Sequence, residues 1–283
     1  MVMDHIEVKN LVPDFIDFFD EASRRSMSEK KRFELWKETY DFAAVPPGVE
    51  GEKIARTMLA NTWPKYFGEI ETIKSWEPEN NIIENPLFHI KKLLRCDEPI
   101  DLVLIYFVGS FEGNFFTAPY DSDRTALCIP IESEVNDIIL YHELTHIVHQ
   151  KTAGLSLNWE RPVANLIMQE GLATRISQHL KPGKNEEIYI EFTPGWLKTC
   201  EMKKEEIIEG IMPYFNDARS ETLMKFTLGE GTTGLEREAY YVGWLIVGSL
   251  LDAGVSFEEM AKIPGDQLAQ YIFDACRDMI EVK

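Results

Sequence analysis

The stretch Tyr141 to Gln150 reads YHELTHIVHQ and places three of the chain's six histidines within eight positions. His142, Glu143 and His146 spell H-E-x-x-H. Residues four apart on an α-helix are displaced by about 40° and about 6 Å, so both imidazoles share one face only if this segment is helical. Each ring nitrogen can then approach a single ion to about 2.0–2.1 Å. Glu143 stands beside that ion, placed to take a proton from bound water. The alternative is a solvated or core helix that carries the pattern by chance; the metal reading requires a ligand-bearing helix and a further ligand brought from elsewhere.

His149 lies three residues past His146 and close to the same stripe. Along a straight helix it is about 10 Å from His142, too far for one compact site. The metzincin pattern H-E-x-x-H-x-x-G-x-x-H also fails, because His149 takes its Gly position and Thr152 its last His position. We read His149 as a structural or supporting residue.

A catalytic zinc site has three protein ligands and one open position. In VANLIMQEGLATRIS, Val163, Leu166 and Ile167 precede Glu170 by seven, four and three positions, which sets the carboxylate on a core-facing stripe. A buried carboxylate without a partner costs several kcal/mol. A divalent cation on two neutral imidazoles supplies the partner and leaves a His₂Glu site of net charge +1. Arg161 or Arg175 is the competing partner. Gly171 is expected to let the two ligand helices approach closely.

Organisation follows from patterning. Residues 10 to 95 read as mainly helical, with Leu11, Phe15, Phe18, Phe19 and Ala22 on one face and Phe33, Trp36 and Tyr40 on another. VPPG at Val45 to Gly48 and the segment Trp76 to Pro86 break this region. Asp101 to Val108 and Ala126 to Ile131 read as strands, joined by a loop or irregular hairpin. Helices are predicted from Ser133 as N-cap, from Pro162 to about His179, and over 202–226, 235–252 and 265–281. The expected division is a helical N-terminal region, 1–95, and a catalytic domain, 96–283.

With 45% hydrophobic residues in 283, the chain can fill a substantial core. Its formal charge of −19 excludes a nucleic-acid binder, since phosphate neutralisation needs clustered Lys and Arg. The start, MVMDHIEVKNLVPDF, has no secretory pattern, which predicts the cytoplasm. The longest apolar run, Ala239 to Leu251, is too short to span a bilayer and predicts no membrane partner. Cys96, Cys128, Cys200 and Cys276 form no C-x-x-C pair and are expected to be reduced and buried.

HELTH, followed 24 residues after its second His by the Glu of QEGLATRIS, resembles the gluzincin type of zinc metallopeptidase. HELTH, EGLA and AYYVGW together resemble bacterial predicted zinc-dependent proteases, which carry G-Y-x-x-G in the last place. The resemblance covers about residues 100 to 260. It implies a zincin-like fold, one catalytic Zn²⁺ held by His142, His146 and Glu170, Glu143 as general base, and the strand Ala126 to Ile131 as an edge for an extended peptide. Two departures stand out: Thr174 replaces the acid that braces a ligand His in many gluzincins, and Ala239 replaces the Gly of G-Y-x-x-G.

The oxyanion built during amide hydrolysis needs a donor. Tyr240, Tyr241 and Arg237 are the candidates, and Tyr240 takes the motif's Tyr position. GEGTTG at Gly229 to Gly234 literally fits G-x-G-x-x-G. A nucleotide fold needs further parallel strands after it, so we read a loose loop beside the cleft instead.

The sequence therefore predicts an α+β, predominantly helical chain with a small mixed sheet that hydrolyses peptide bonds. Hydrolysis of another amide or ester, or a non-catalytic binding role on the same scaffold, are the alternatives.

Overall fold

The computed structural model describes residues 3–24, 27–45, 48–79, 81–113, 115–133, 135–156, 158 and 160–281. Pro46 and Pro47, the centre of the predicted VPPG break, lie outside them. The fold is α+β and predominantly helical, with one small mixed sheet. The chain divides into two compact units that do not follow a single cut at residue 95. One comprises Met3–Ile82 and Asp101–Val135; the other comprises Ile83–Ile100 and the chain from Asn136 onward. The strands join the N-terminal helices because those helices bury their apolar faces on the sheet.

The first unit holds β1 (His5–Asn10), α1 (Val12–Ser23), α2 (Glu29–Thr39), α3 (Val49–Ser75), β2 (Asp101–Phe107), β3 (Phe116–Pro119) and β4 (Thr125–Pro130). The strand order is β1-β2-β4-β3, with β1, β2 and β4 parallel and β3 antiparallel to β4. Every residue from Leu102 to Phe107 is buried, as expected for a central strand covered on both faces. Val12, Phe15, Phe18, Phe19 and Ala22 follow helical spacing and pack with Trp63, Tyr66 and Tyr40 into an aromatic core.

Two expectations are corrected in this unit. The strand at Ala126 to Ile131 is not an edge: β4 is interior, because β3 occupies its second side with the register Phe116 to Cys128. The N-terminal region also contains β1, whose HIEVKN sequence carries charge at alternate positions and no apolar run. Such charge suits the edge position that β1 occupies.

The second unit is helical. Its elements are α4 (Glu84–Leu94), α5 (Asp137–Ala153), α6 (Val163–Leu180), α7 (Glu187–Ile190), α8 (Trp196–Met202), α9 (Lys204–Ile211), α10 (Ser220–Thr227), α11 (Glu238–Asp252), α12 (Phe257–Ala261) and α13 (Leu268–Glu281). The helix expected over 202–226 is broken by a 3-10 turn at Met212–Tyr214, where Pro213 lacks an N–H. α5 starts later than expected: Asn136, not Ser133, is its cap and accepts from Ile138 N at 2.9 Å.

α6 is the axis of this unit and packs on α5, α11 and α13. Val163 to Thr174 is buried all round, so α6 carries no polar face along that length. Gly171 serves a different approach from the one expected. A Cβ at Gly171 would lie 2.4 Å from Gly243 O, and one at Gly243 would lie 2.4 Å from Ile167 O. The two glycines therefore let α6 and α11, rather than α5 and α6, come into backbone contact. All four cysteines are free and buried, and no helix among the described residues is long and apolar enough to cross a membrane.

Candidate metal centre

α5 and α6 bring His142, His146 and Glu170 to one place. The two Nε2 atoms are 3.1 Å apart, and Glu170 Oε2 is 3.2 Å from His142 Nε2 and 3.6 Å from His146 Nε2. Ligand atoms held about 2.0–2.1 Å from a tetrahedral centre stand about 3.3–3.4 Å from one another. The three observed edges straddle that value. Glu170 is 6% exposed, and its Oε2 makes no hydrogen bond of acceptable geometry despite its closeness to His142. The three atoms lie close enough together to share one cation, so the residues fit a cation, and the cluster can hold a metal ion.

The surrounding helices fix this arrangement locally. The Ser177 hydroxyl is shared between Ala173 O at 2.8 Å and Ile138 O at 3.0 Å, which ties α6 to the start of α5. Thr174 lies one turn beyond Glu170 on α6. Its hydroxyl donates back to Glu170 O at 2.8 Å, so it supports the ligand's own backbone and not a ligand His.

Electrostatics set the cluster apart. Burial pushes the Glu170 carboxyl up, but His146, His142 and Arg161 outweigh it and bring the group down to about 2. Glu170 is therefore an anion across the ordinary pH range. Burial lowers His146 to about 4, keeping it neutral and able to donate a lone pair. Burial also opposes charge on His142, yet the adjoining Glu170 raises it overall. Two neutral ring nitrogens facing one another at 3.1 Å repel unless a proton or cation lies between them.

Glu143 interacts electrostatically with His142 and Tyr240, which puts its carboxylate beside the cluster. Tyr240 interacts with Glu170, Arg237, Glu143 and Arg161; burial, then Glu170, raises its hydroxyl pKa, so it stays a proton donor. Tyr241 points elsewhere: it is fully buried, edge-on to Trp196 with centroids 6.2 Å apart, near Cys200 and Glu201. Arg237 starts α11 in the left-handed region (φ 58°), with its guanidinium 4.2 Å from the Phe192 ring and 5.0 Å from the Tyr240 ring.

Arg161, which the sequence offered as a rival partner of Glu170, lies near the cluster. It precedes the start of α6 and acts on Glu170, His146 and Tyr240. Arg175, the other proposed partner of Glu170, is committed elsewhere, with its guanidinium 3.3 Å from the Trp244 ring and Nε donating to Trp244 O.

His149 is fully buried, and neither ring nitrogen has a hydrogen-bond partner among the described residues. Burial, with His146 nearby, lowers its pKa to about 3. It is not one of the converging residues.

The GEGTTG segment is clamped rather than loose. The fully buried Glu238 carboxylate accepts from Thr232 N (2.8 Å) and Oγ1 (3.0 Å), and from Thr233 N (2.8 Å) and Oγ1 (2.8 Å). A Cβ on Gly231 would sit 2.1 Å from the Glu238 carboxyl carbon, which explains the glycine. The loop's anion-binding donors are satisfied from within the chain, and the clamp fixes the residues that lead into Arg237 and Tyr240.

No protein-family model, curated protein or solved structure matches this chain.

Proposed function

We propose that this protein is a zinc-dependent metallopeptidase with a zincin-like catalytic unit. The single observation that carries the reading is the convergence of His142, His146 and Glu170 on one point with Glu143 beside it. A carboxylate, a neutral imidazole and its partner ring form a donor set suited to zinc, and three protein ligands leave a position open for chemistry. A site that served structure alone would have no use for Glu143.

A bound zinc ion would supply Lewis acidity, bringing the pKa of a water toward about 7 and polarising the scissile carbonyl. Glu143 accepts the proton of the attacking water and later hands it to the departing amine. Tyr240, held protonated by burial and by Glu170, donates its hydroxyl hydrogen to the carbonyl oxygen as charge builds there. Arg237 and the Glu238 clamp hold the start of α11 so that Tyr240 keeps its aim. The four buried free thiols suit a reducing cytoplasm.

The reading is tested by metal analysis together with cleavage of a peptide library. The expected result is bound zinc and cleavage by the wild type, and an undiminished zinc content in Glu143→Gln with a rate lower by about 10²–10⁴-fold. Bound zinc with no cleavage by the wild type would remove the catalytic assignment.

A further inference from the structure

We propose that the site takes a substrate bearing a free carboxylate, gripped by the guanidinium of Arg237 with Arg161 adding positive charge. The identity of the bond that reacts rests on the metallopeptidase reading; the binding of the anion does not.

Around the cluster stand two carboxylates, Glu143 and Glu170, and two guanidiniums, Arg161 and Arg237. They cancel before any ion is counted, and a divalent cation brings the group to a net charge of +2. This cationic spot sits in a chain of formal charge −19, whose overall field repels anions. Carboxylates abound in the sequence, yet none among the described residues lies within ion-pair distance of Arg237.

Geometry narrows the role to Arg237. Its guanidinium is flanked by the rings of Phe192 and Tyr240, which orient a flat cation while taking none of its hydrogen-bond donors. Its Nε is buried and donates to nothing among the described residues. A carboxylate meets the planar fork with two parallel N–H···O bonds and satisfies the buried Nε. The backbone supports the same reading: Arg237 occupies a left-handed conformation that non-glycine residues rarely adopt, held by the Glu238 clamp one residue later. Tyr240, one turn on, faces the cluster, so Arg237 stands one side chain away from the reacting position.

A single developing oxyanion does not account for this arrangement, because the Tyr240 hydroxyl already serves it. The remaining cation is suited to a permanent negative charge on the substrate. A peptide's C-terminal carboxylate is the form of that charge that lies next to a scissile bond.

The test uses zinc-loaded Glu143→Gln protein, which binds without turning over. Calorimetric titration compares N-acetyl-Gly-Phe as free acid with the same dipeptide as C-terminal amide. The free acid is expected to bind about tenfold or more tightly, the scale of a charge-assisted pair. Adding Arg237→Asn, which tolerates the left-handed start, should reduce that preference to about threefold or less at unchanged zinc content. Equal affinities, no binding of either probe, or an acid preference that survives Arg237→Asn overturns the proposal; the last result assigns the carboxylate to the metal alone. If Arg237→Asn loses zinc, Arg237→Lys keeps the charge without the fork, and an undiminished preference there overturns the proposal equally. Wild-type hydrolysis is scored separately. Equal cleavage of acid and amide leaves the metallopeptidase standing and removes this inference, whereas acid-selective binding without cleavage does the reverse.

Discussion

The two units of this chain differ in how many buried polar side-chain atoms they leave without a partner among the described residues. In the strand-containing unit, the hydroxyl of Tyr40 donates to Val108 O at 2.9 Å and accepts from Val108 N at 2.8 Å, and Tyr66 donates to Gly109 O at 2.8 Å. Aromatic bulk there is combined with satisfied hydroxyls, and Arg32 Nε and Glu132 Oε2 are the buried side-chain atoms left without a hydrogen-bond partner among the described residues. In the helical unit, Glu170 Oε2, Arg237 Nε, both nitrogens of His149, Asn165 Oδ1 and Gln169 Oε1 are buried without hydrogen-bond partners among the described residues. Each such atom costs about 1–3 kcal/mol when it is left unpaired. Glu170 Oε2 belongs to the candidate metal site, where a cation would complete it.

The contrast can be pressed hardest through His149. Its folded pKa of about 3 lies below the ordinary histidine value of 6.5, so the fold favours its neutral form. The stability it contributes is complete above pH 6.5 and is lost as pH falls from 6.5 toward 3. Between pH 7 and 4 the metal-free wild type should lose about 3 kcal/mol through this group. His149→Phe should remove that part of the acid slope, as read by denaturant titration at each pH. An identical slope in both proteins would place His149 in water and weaken the contrast.

Glycine substitutions sharpen the same comparison at smaller scale. Gly171→Ala puts a methyl 2.4 Å from the Gly243 carbonyl oxygen. It should destabilise the helical unit by about 1–3 kcal/mol and weaken zinc binding, because α6 carries Glu170. Gly68→Ala, within α3 of the other unit, meets nothing within 4 Å. It should stabilise by about 0.5–1 kcal/mol and leave zinc binding unchanged. Thermal melts and zinc titrations of both variants check the pair, and equal effects would mean that the helical crossing is looser than described.

The three converging residues were legible because their signal is local. HELTH is a spacing within one helix, and Glu170 stood out as a carboxylate on an apolar stripe. The apolar runs that became β2 and β4 were legible for the same reason. What escaped depends on partners distant in sequence. The sheet order, with β4 interior, is decided by a four-residue strand, Phe116–Pro119, too short to carry a pattern. β1 hid behind the alternate charges of an edge strand. The partner of Gly171 lies 72 positions away at Gly243, and GEGTTG imitates a phosphate loop because its donors do hold an anion, the side chain of Glu238. Arg161 was legible only as a rival partner of Glu170; its nearness to His146 and Tyr240 depends on a turn of side chain that no periodicity encodes.

The central claim is that His142, His146 and Glu170 share one metal ion, and crystals grown with zinc test it most directly through anomalous scattering at the zinc edge. The account predicts one peak per chain within about 2.0–2.2 Å of both Nε2 atoms and of a Glu170 carboxylate oxygen, abolished in Glu170→Gln. A zinc-soaked crystal with no peak there, or with its peak on other residues, would contradict the account.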